Sequence, residues 1–444
     1  MKTIRFVDLF AGMGGIRKSF EETFNSLGYK TECILTSEIK PSAVKVLKAN
    51  FEHKNLVGDI REIDAKELED FDFLLGGFPC QSFSTAGKGL GFADVRGTMF
   101  FEVARILKEK RPYGFILENV EGLIKHDLIN KSDKIGNTFS TMLKILEELG
   151  YKVSWKLLDS QFFGVPQSRK RVYIVGTLDK QIDLNSFDEK RVLFKDIMEH
   201  NQKTVNTEFT RALFNHFKPE ELYGKSIKDK RGGSNNIHSW ELELKGTVSD
   251  KERNLLNLML LERRKKCWAE ETGIKWMDGM TLTKSQIRTF CKDEDLDKML
   301  DDLVLKKYLI MEYPKKQIVS KDEDGNIRKR REQDKTKTIG YNIVSGKLSF
   351  EFSKIIDING VTPTLVAIDA SKLGVIDGKG IRTLTIREGL RLFGYPEDYS
   401  LDVLGNSKKG KAEAFDLLGN TVVIPAMKSV IRKVALAYDK QKEV

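Results

Sequence analysis

Short apolar runs, closed by glycine or an acidic residue, recur through the first part of the chain, and longer stretches with apolar positions at helical spacing lie between them. The runs Ile4–Phe10, Thr31–Ser37, Phe71–Gly76, Gly114–Glu118, Val153–Leu158 and Arg171–Gly176 predict strands. Ile16–Leu27, Pro41–Asn50, Phe100–Lys110 and Thr138–Leu149 predict helices. Strands alternating with helices of this length imply βαβ units and a parallel sheet.

The pattern breaks near Leu184. Residues 186–360 are polar, charge-rich and irregular, with Arg231-Gly232-Gly233-Ser234-Asn235 as a loop signal. Inside this region Lys251–Glu271, Lys284–Phe290 and Asp295–Lys306 predict helices, followed by a strand at Tyr308–Met311, a charged loop and a strand over Thr338–Val344. That order is compatible with a winged-helix-like segment over 251–345, although helical hairpins of any purpose share it. Alternating order returns near Gly360, with a helix over Thr385–Phe393, a closing segment Leu418–Pro425 and a last helix striped by Val430, Val434 and Ala437. The expected organisation is an α/β domain over 1–185, an inserted α+β domain over 186–360 and a return to the first domain over 361–444.

Composition narrows the function classes. The 444 residues are 40% hydrophobic and 32% charged, ordinary for a folded soluble chain. No apolar run approaches the roughly 18 residues needed to span a bilayer, and strand-like sequence starts at Ile4, leaving no room for a signal peptide. Cys33, Cys80, Cys267 and Cys291 form no CxxC pair and the five histidines are scattered, so neither a disulfide frame, a metal site nor an oxidising compartment is indicated. A net charge of +10 suits a polyanionic partner. Arg263-Arg264-Lys265-Lys266 and Arg328-Lys329-Arg330-Arg331 concentrate that charge in the insertion, and each reads equally well as a solvated face.

The chemistry centres on Pro79-Cys80-Gln81, where an apolar strand is stopped by Gly76, Gly77 and Pro79. A cysteine there sits at the mouth of the sheet, where open α/β folds bind ligands. Its thiolate can add to an electrophilic carbon, while the bland reading is a small buried hydrophobe. Asp8-Leu9-Phe10-Ala11-Gly12-Met13-Gly14-Gly15 marks the first strand-to-helix turn, where glycines let backbone approach a ligand. Glu38 ends the second strand, placed to accept bonds from ribose hydroxyls, and Gly58-Asp59-Ile60 follows at the third. These suit a nucleoside; with no second phosphate-type glycine turn, an adenosyl cofactor without a pyrophosphate fits at least as well as a nicotinamide dinucleotide. Glu118-Asn119-Val120 ends a strand beside the same crevice, where a carboxyl of raised pKa acts as a proton donor. Alternation puts Arg169 and Arg171 of Gln167-Ser168-Arg169-Lys170-Arg171 on one face, aimed at a phosphate or carbonyl.

In this order, and completed by Arg382-x-Leu384-Thr385-x-Arg387-Glu388 and Gly419-Asn420-Thr421-Val422, the motifs resemble those of the DNA (cytosine-5) methyltransferase family. The resemblance implies a Rossmann-like S-adenosylmethionine-dependent methyltransferase sheet with an inserted α+β target-recognition domain. It implies Cys80 as nucleophile towards C6 of a flipped cytosine and Glu118 on ring N3 and the exocyclic amine, with Pro79, Gln81, Asn119, Arg169 and Arg171 around them. S-adenosylmethionine would be held by Phe10, Ala11, Gly12, Gly14, Gly15, Glu38, Ile39, Asp59, Ile60, Met99, Asn420 and Val422. Ile39 stands where the family often has an aromatic residue, which puts stacking on adenine in doubt. Duplex DNA would be contacted by Ser84, Gln167, Arg263, Arg264, Arg328, Arg330 and Arg331. The resemblance also implies a prokaryotic or phage restriction–modification enzyme of the cytoplasm and nucleoid, sufficient as a monomer, with a cognate endonuclease acting separately and no membrane. A transfer-RNA cytosine methyltransferase and a catalytically inactive DNA-binding regulator are the alternatives. A nicotinamide oxidoreductase is disfavoured once Pro79-Cys80-Gln81 is included.

Overall fold

The computed structural model describes residues 2–79, 99–128, 130, 132–229, 232–321, 327–344, 350–366 and 370–439, the side chains of 321 and 327–329 excepted. The chain divides into two compact units, one of Met1–Glu199, Ile358–Ser371 and Leu384–Val444, the other of His200–Asp357 and Lys372–Thr383. Beyond the insertion anticipated from composition, the second unit therefore takes in a short segment that follows Ser371.

Unit 1 opens with β1 (Thr3–Leu9), α1 (Gly15–Ser26), β2 (Lys30–Ser37), α2 (Pro41–Asn50), β3 (Leu56–Val57), β4 (Phe73–Gly76), α3 (Met99–Lys110), β5 (Gly114–Val120), α4 (Asn137–Glu148), β6 (Lys152–Asp159) and β7 (Lys170–Thr177). These strands form a seven-stranded sheet in the order β3-β2-β1-β4-β5-β7-β6. β1 to β5 are parallel, whereas β7 is antiparallel to both β5 and β6. The departure from an all-parallel sheet has a chain-length cause. Only residues 160–169 separate β6 from β7, fewer than the dozen or so a parallel crossover requires, so the pair closes as an antiparallel hairpin.

All four residues of β4 are buried, as expected for a strand covered on both faces. Phe73 and Leu74 alternate across it. Leu74 joins a core with Phe100, Phe115, Phe139 and Met142, while the Phe73 ring lies 5.4 Å from those of Phe20 and Phe24, and Phe20 in turn packs on Phe6 and Phe24 at 4.7 and 4.4 Å. From β1 the chain moves outward through β2 and β3, then returns on the other side of β1 as β4. The loops leaving β1 and β4 therefore diverge and open a crevice at the strand ends.

Unit 2 holds α5 (Glu208–His216), α6 (Pro219–Leu222), β8 (Ser226–Ile227), β9 (Asn236–Ile237), α7 (Asp250–Glu262), α8 (Cys267–Thr272), α9 (Lys284–Phe290), α10 (Leu296–Leu305), β10 (Leu309–Glu312), β11 (Lys315–Lys321), β12 (Ile327–Gln333), β13 (Gly340–Ile343), β14 (Lys354–Ile355), β15 (Leu373–Asp377) and β16 (Gly380–Thr383). A five-stranded sheet in the order β16-β15-β14-β8-β9 packs on Leu213, Ile227, Phe352, Ile355 and Ile381. A second core of Trp240, Leu256, Leu260, Ile287, Leu300, Leu303 and Tyr308 gathers α7 to α10 with β10 and β13. Reciprocal side-chain caps start α7 (Ser249 with Glu252) and α9 (Thr283 with Gln286).

Two elements of unit 2 differ from the sequence expectation. The single helix over Lys251–Glu271 breaks after Glu262, because Arg263 turns inward and its Nη1 donates to Asn342 Oδ1 at 2.7 Å. The charged loop before residue 338 is the antiparallel ribbon β11–β12, whose strands pair over their full length. Lacking an apolar face, the ribbon shows no alternation by which to recognise it.

The chain completes unit 1 with α11 (Ile386–Leu392), α12 (Lys408–Asn420) and α13 (Ile424–Asp439). α13 packs on α1 and buries Val430, Ile431, Val434 and Tyr438. By length and composition the stretch Lys408–Asp439 is apolar enough to cross a membrane, but 67% of its most apolar window is buried in the fold.

Candidate active site

A cavity of about 530 Å³ lies in unit 1 at the strand ends. Phe10 and Gly12 reach it from the turn after β1, Ser37 to Lys40 from the end of β2, and Asp59 and Ile60 from beyond β3. Gly77, Phe78 and Pro79 enter after β4, Glu118 to Val120 from β5, Arg169 and Arg171 from the start of β7, and Gly419 and Asn420 from α12.

The turn between β1 and α1 is held under strain. Phe10 has a φ of 55°, which a bulky side chain rarely adopts and which costs on the order of 1–3 kcal/mol. Gly14, at φ 76°, precedes the first turn of α1. A Cβ on Gly15 would lie 2.7 Å from Tyr395 Oη and 2.8 Å from a Val422 methyl, so glycine there lets the C-terminal segment close on the turn. Glu38 braces this turn from β2: one carboxylate oxygen accepts the Gly12 N–H and the other the Lys40 N–H, both at 2.7 Å. Each oxygen keeps a lone pair for a ligand hydroxyl. Asp59 accepts the Arg61 backbone N–H and guanidinium, which hold its carboxyl down at about 2. Ile39 is 71% exposed, offering an apolar face to the cavity. An adenosyl group fits this donor set: carboxylates for hydroxyl and amino donors, apolar side chains for the ring.

Across the cavity Glu118 is buried, and burial pushes its carboxyl above the ordinary range against the opposing pull of Arg171 and Arg169. Arg171 Nε lies 3.1 Å from Glu118 Oε1. The same oxygen has no aligned hydrogen-bond partner among the described residues, so the contact is an ion pair of poor hydrogen-bond geometry. Asn119 is buried and donates from Nδ2 to the Phe78 carbonyl at 3.2 Å, fixing the backbone just ahead of Pro79. Cys80, Gln81 and Ser84 lie outside the described residues.

Several expected site residues serve elsewhere. Gln167 is fully buried, donating to Leu392 O and accepting from Leu365 N–H, and so presents nothing to DNA. Arg263 is likewise withdrawn, only 3% exposed. The Arg169 guanidinium, although in the cavity wall, donates to the carbonyls of Gly419, Thr421 and Leu365 and lies over the Phe393 ring, joining β7 to the C-terminal motif. Ala11 and Val422 are buried and Met99 packs against the sheet core; none of the three lines the cavity. Arg264 pairs with Asp278 at 2.8 Å and Arg330 with Glu332 at 2.8 Å, while Arg331 is exposed. The side chain of Arg328 lies outside the described residues. Sequence reasoning missed Lys40, Phe78 and Gly419 in the cavity wall and the buried Asp8, whose two carboxylate oxygens have no hydrogen-bond partner among the described residues. Gly419 belongs to the quoted Gly419-Asn420-Thr421-Val422 motif and was within reach, though no role was given to it; Asp8 reads as an ordinary motif residue until its burial is seen.

The model of the C-5 cytosine-specific DNA methylases matches residues 4–435 of this chain. The chain belongs to that family. It is a DNA cytosine-5 methyltransferase, and S-adenosylmethionine is its methyl donor. It is 53% identical over 430 residues to the Type II methyltransferase M.NlaIV of Neisseria lactamica, spanning 97% of this chain and 98% of that one. It is 39% identical to the Type II methyltransferase M.BanI of Aneurinibacillus aneurinilyticus, over 96% and 95% of the two chains. Among solved structures, the Schizosaccharomyces pombe Dnmt2 methyltransferase matches with a TM-score of 0.53 at 14% identity, covering 99% of both chains. The Entamoeba histolytica methyltransferase EhMeth matches at 0.52 and 15%, again over 99% of both. These two likenesses concern the fold alone.

Proposed function

We propose that this methyltransferase modifies one specific duplex sequence as the methylating half of a restriction–modification pair, and that Cys80, Glu118 and Asn119 carry its chemistry on a cytosine flipped out of the stack. One observation carries the reading: a single cavity is walled on one side by Phe10, Glu38, Ile39 and Asp59 and on the other by Pro79, Glu118 and Asn119. A nucleoside-type cofactor and a flipped base thus have adjoining places at the strand ends.

Bound S-adenosylmethionine supplies an electrophilic methyl group; Glu38, Asp59, Ile39 and Phe10 are the residues to hold it. The Cys80 thiolate forms a bond to C6 of the cytosine, which moves electron density to C5 and lets that carbon take the methyl. Loss of the C5 proton then breaks the sulfur–C6 bond and frees Cys80. Glu118, whose carboxyl burial pushes above the ordinary range, is the group to donate to ring N3 as charge develops there. Asn119 is a positioning residue, acting through the Phe78 carbonyl on the loop that leads to Cys80. The similarity to relatives named Type II methyltransferases supports the restriction–modification role, and a monomer suffices for it.

The test uses the full chain with duplex DNA containing 5-fluorocytosine at a methylated site. Wild type is expected to form a covalent complex stable to denaturant, because fluorine at C5 blocks release, and Cys80→Ala to form none. A covalent complex persisting in Cys80→Ala defeats the assignment. Mapping 5-methylcytosine in DNA from cells expressing the protein gives the recognition sequence; modification spread over unrelated contexts defeats the claim of a specific site.

A further inference from the structure

In unit 2, α7 and its short continuation α8 are followed by Leu282, which bridges to Tyr341, then by α9 and α10, and then by β10 and β13 paired antiparallel. The long ribbon β11–β12 is inserted between those last two strands. Helix, short strand, two helices, then two strands joined by a hairpin is the order of a winged helix-turn-helix. In such modules the second helix of the pair normally enters the major groove. Here that helix is α10, and its charges disfavour the role. Asp295, Asp297, Asp301 and Asp302 stand against Lys298, and Asp297 is already engaged by Lys284 at 2.5 Å and Arg288 at 2.8 Å. Carboxylates at the leading end of a helix meet phosphates with repulsion and add nothing to counterion release.

The ribbon has the opposite character. Its two strands carry seven Lys or Arg residues against the single Glu332. None of its described side chains belongs to the apolar core of the module, and Val319 is 59% exposed. An isolated two-stranded ribbon is marginally stable in water, so so long a register is best used against a surface that contacts it. Seven residues of strand span about 23 Å, and the major groove, about 12 Å wide, admits a two-stranded ribbon. The two faces are unequal. Residues directly opposite share a face, which puts Lys315 with Gln333 and Gln317 with Arg331 on one side, and Lys316 with Glu332 and Ile318 with Arg330 on the other. The first side holds no acid among its described residues, and both Gln317 and Arg331 are exposed on it. Glutamine reads adenine and arginine reads guanine with paired hydrogen bonds.

We propose that unit 2 reads duplex DNA with the Gln317/Arg331 face of the β11–β12 ribbon, while α10 stays out of the groove. At the root of the ribbon Lys315 and Lys316 are partly exposed but pair with the buried carboxylates of Glu312 and Asp334, so these two lysines are held in the fold and are not among the groups that read DNA.

This inference rests on duplex DNA as the substrate, so the experiment separates the two. The full-length protein methylates a plasmid of mixed sequence, and the modified sites, kcat/KM for DNA and cofactor affinity are measured. Gln317→Ala and Arg331→Ala are expected to lower kcat/KM about ten- to hundredfold and to broaden the modified sequences at one position each, with cofactor affinity unchanged. Arg331→Lys keeps the charge, so its affinity for mixed duplex and salt slope hold while its sequence choice broadens. It decides the matter if Arg331→Ala fails to fold. Lys298→Ala and Asp301→Asn on α10 are expected to change neither site choice nor kcat/KM. Ribbon variants that keep the wild-type sites and kcat/KM, or Lys298→Ala broadening site choice while they do not, overturn the proposal. A wild-type chain that leaves the plasmid without 5-methylcytosine defeats the underlying DNA reading; wild-type methylation with silent ribbon variants defeats this inference alone.

Discussion

Arg169 offers the sharpest test of how the cavity is held together. Its guanidinium donates to Gly419 O at 3.0 Å and Thr421 O at 2.9 Å, with a longer bond to Leu365 O at 3.4 Å, at a site only 3% exposed. Hydrogen bonds from a charged donor contribute about 1.5–3 kcal/mol each, so the two short ones amount to about 3–6 kcal/mol. Desolvating the guanidinium offsets part of this, and a loss of about 3–5 kcal/mol on removing it is the expected scale. Arg169→Met keeps most of the stem over Phe393 and isolates the donors; Arg169→Lys restores at most one of the short bonds. Because Gly419 and Asn420 form the cavity wall, the released segment should weaken S-adenosylmethionine binding tenfold or more at temperatures where the fold persists. Urea unfolding, cofactor titration and kcat at saturating cofactor are measured for all three proteins. The expected order of stability and of cofactor affinity is wild type, then Lys, then Met, with kcat least affected. If Arg169→Met keeps its unfolding midpoint and cofactor affinity but loses kcat, the clamp reasoning is wrong and the guanidinium acts on the reaction itself.

Asp8 is buried without a hydrogen-bond partner among the described residues, and desolvation raises its carboxyl from 3.8 to about 7. The folded chain thus holds this proton to higher pH than the unfolded chain, so the contribution is complete below about pH 4 and is lost as pH rises through 7; at most about 4 kcal/mol is involved. Asp8→Asn should therefore gain stability relative to wild type between pH 5 and 8, and a difference that stays constant over that range refutes the claim. Glu118, raised by burial, should give methyl transfer a limb that declines as pH rises through its pKa; Glu118→Gln should be slower and lack that limb, and a limb unchanged in the variant assigns it elsewhere. Gly15→Ala forces a methyl against Tyr395 and Val422 and should cost about 1–3 kcal/mol of stability together with cofactor affinity, read by thermal unfolding with and without cofactor; an unaltered midpoint would show that the C-terminal segment gives way freely.

Much of unit 1 was legible in the chain because its signals are local. Apolar runs such as Phe73–Leu75 are dictated by burial on both faces of a central strand, and glycines at 12, 14 and 15 mark a turn that other residues enter only with strain or a clash. Glu38, Asp59, Glu118 and Asn420 end or follow regular elements, so their place in the cavity follows from the strand order. The direction of β7 did not, since parallel and antiparallel strands share one apolar pattern and the short connection decides between them. The ribbon β11–β12 escaped notice for the converse reason: a strand pair with no buried face leaves no periodicity in sequence.

What residue type alone left undecided was whether a charge faces water or the interior. Arg169, Arg263 and Gln167 carry the same groups as surface DNA contacts, yet each is buried with its donors on carbonyl or amide oxygens brought together from distant parts of the chain. The amino-acid sequence by itself determined the family and the strand ends at which the cavity opens. The tertiary structure alone decided which of the polar groups are spent holding the fold closed, because burial and hydrogen-bond partners arise from contacts between residues up to some 250 positions apart.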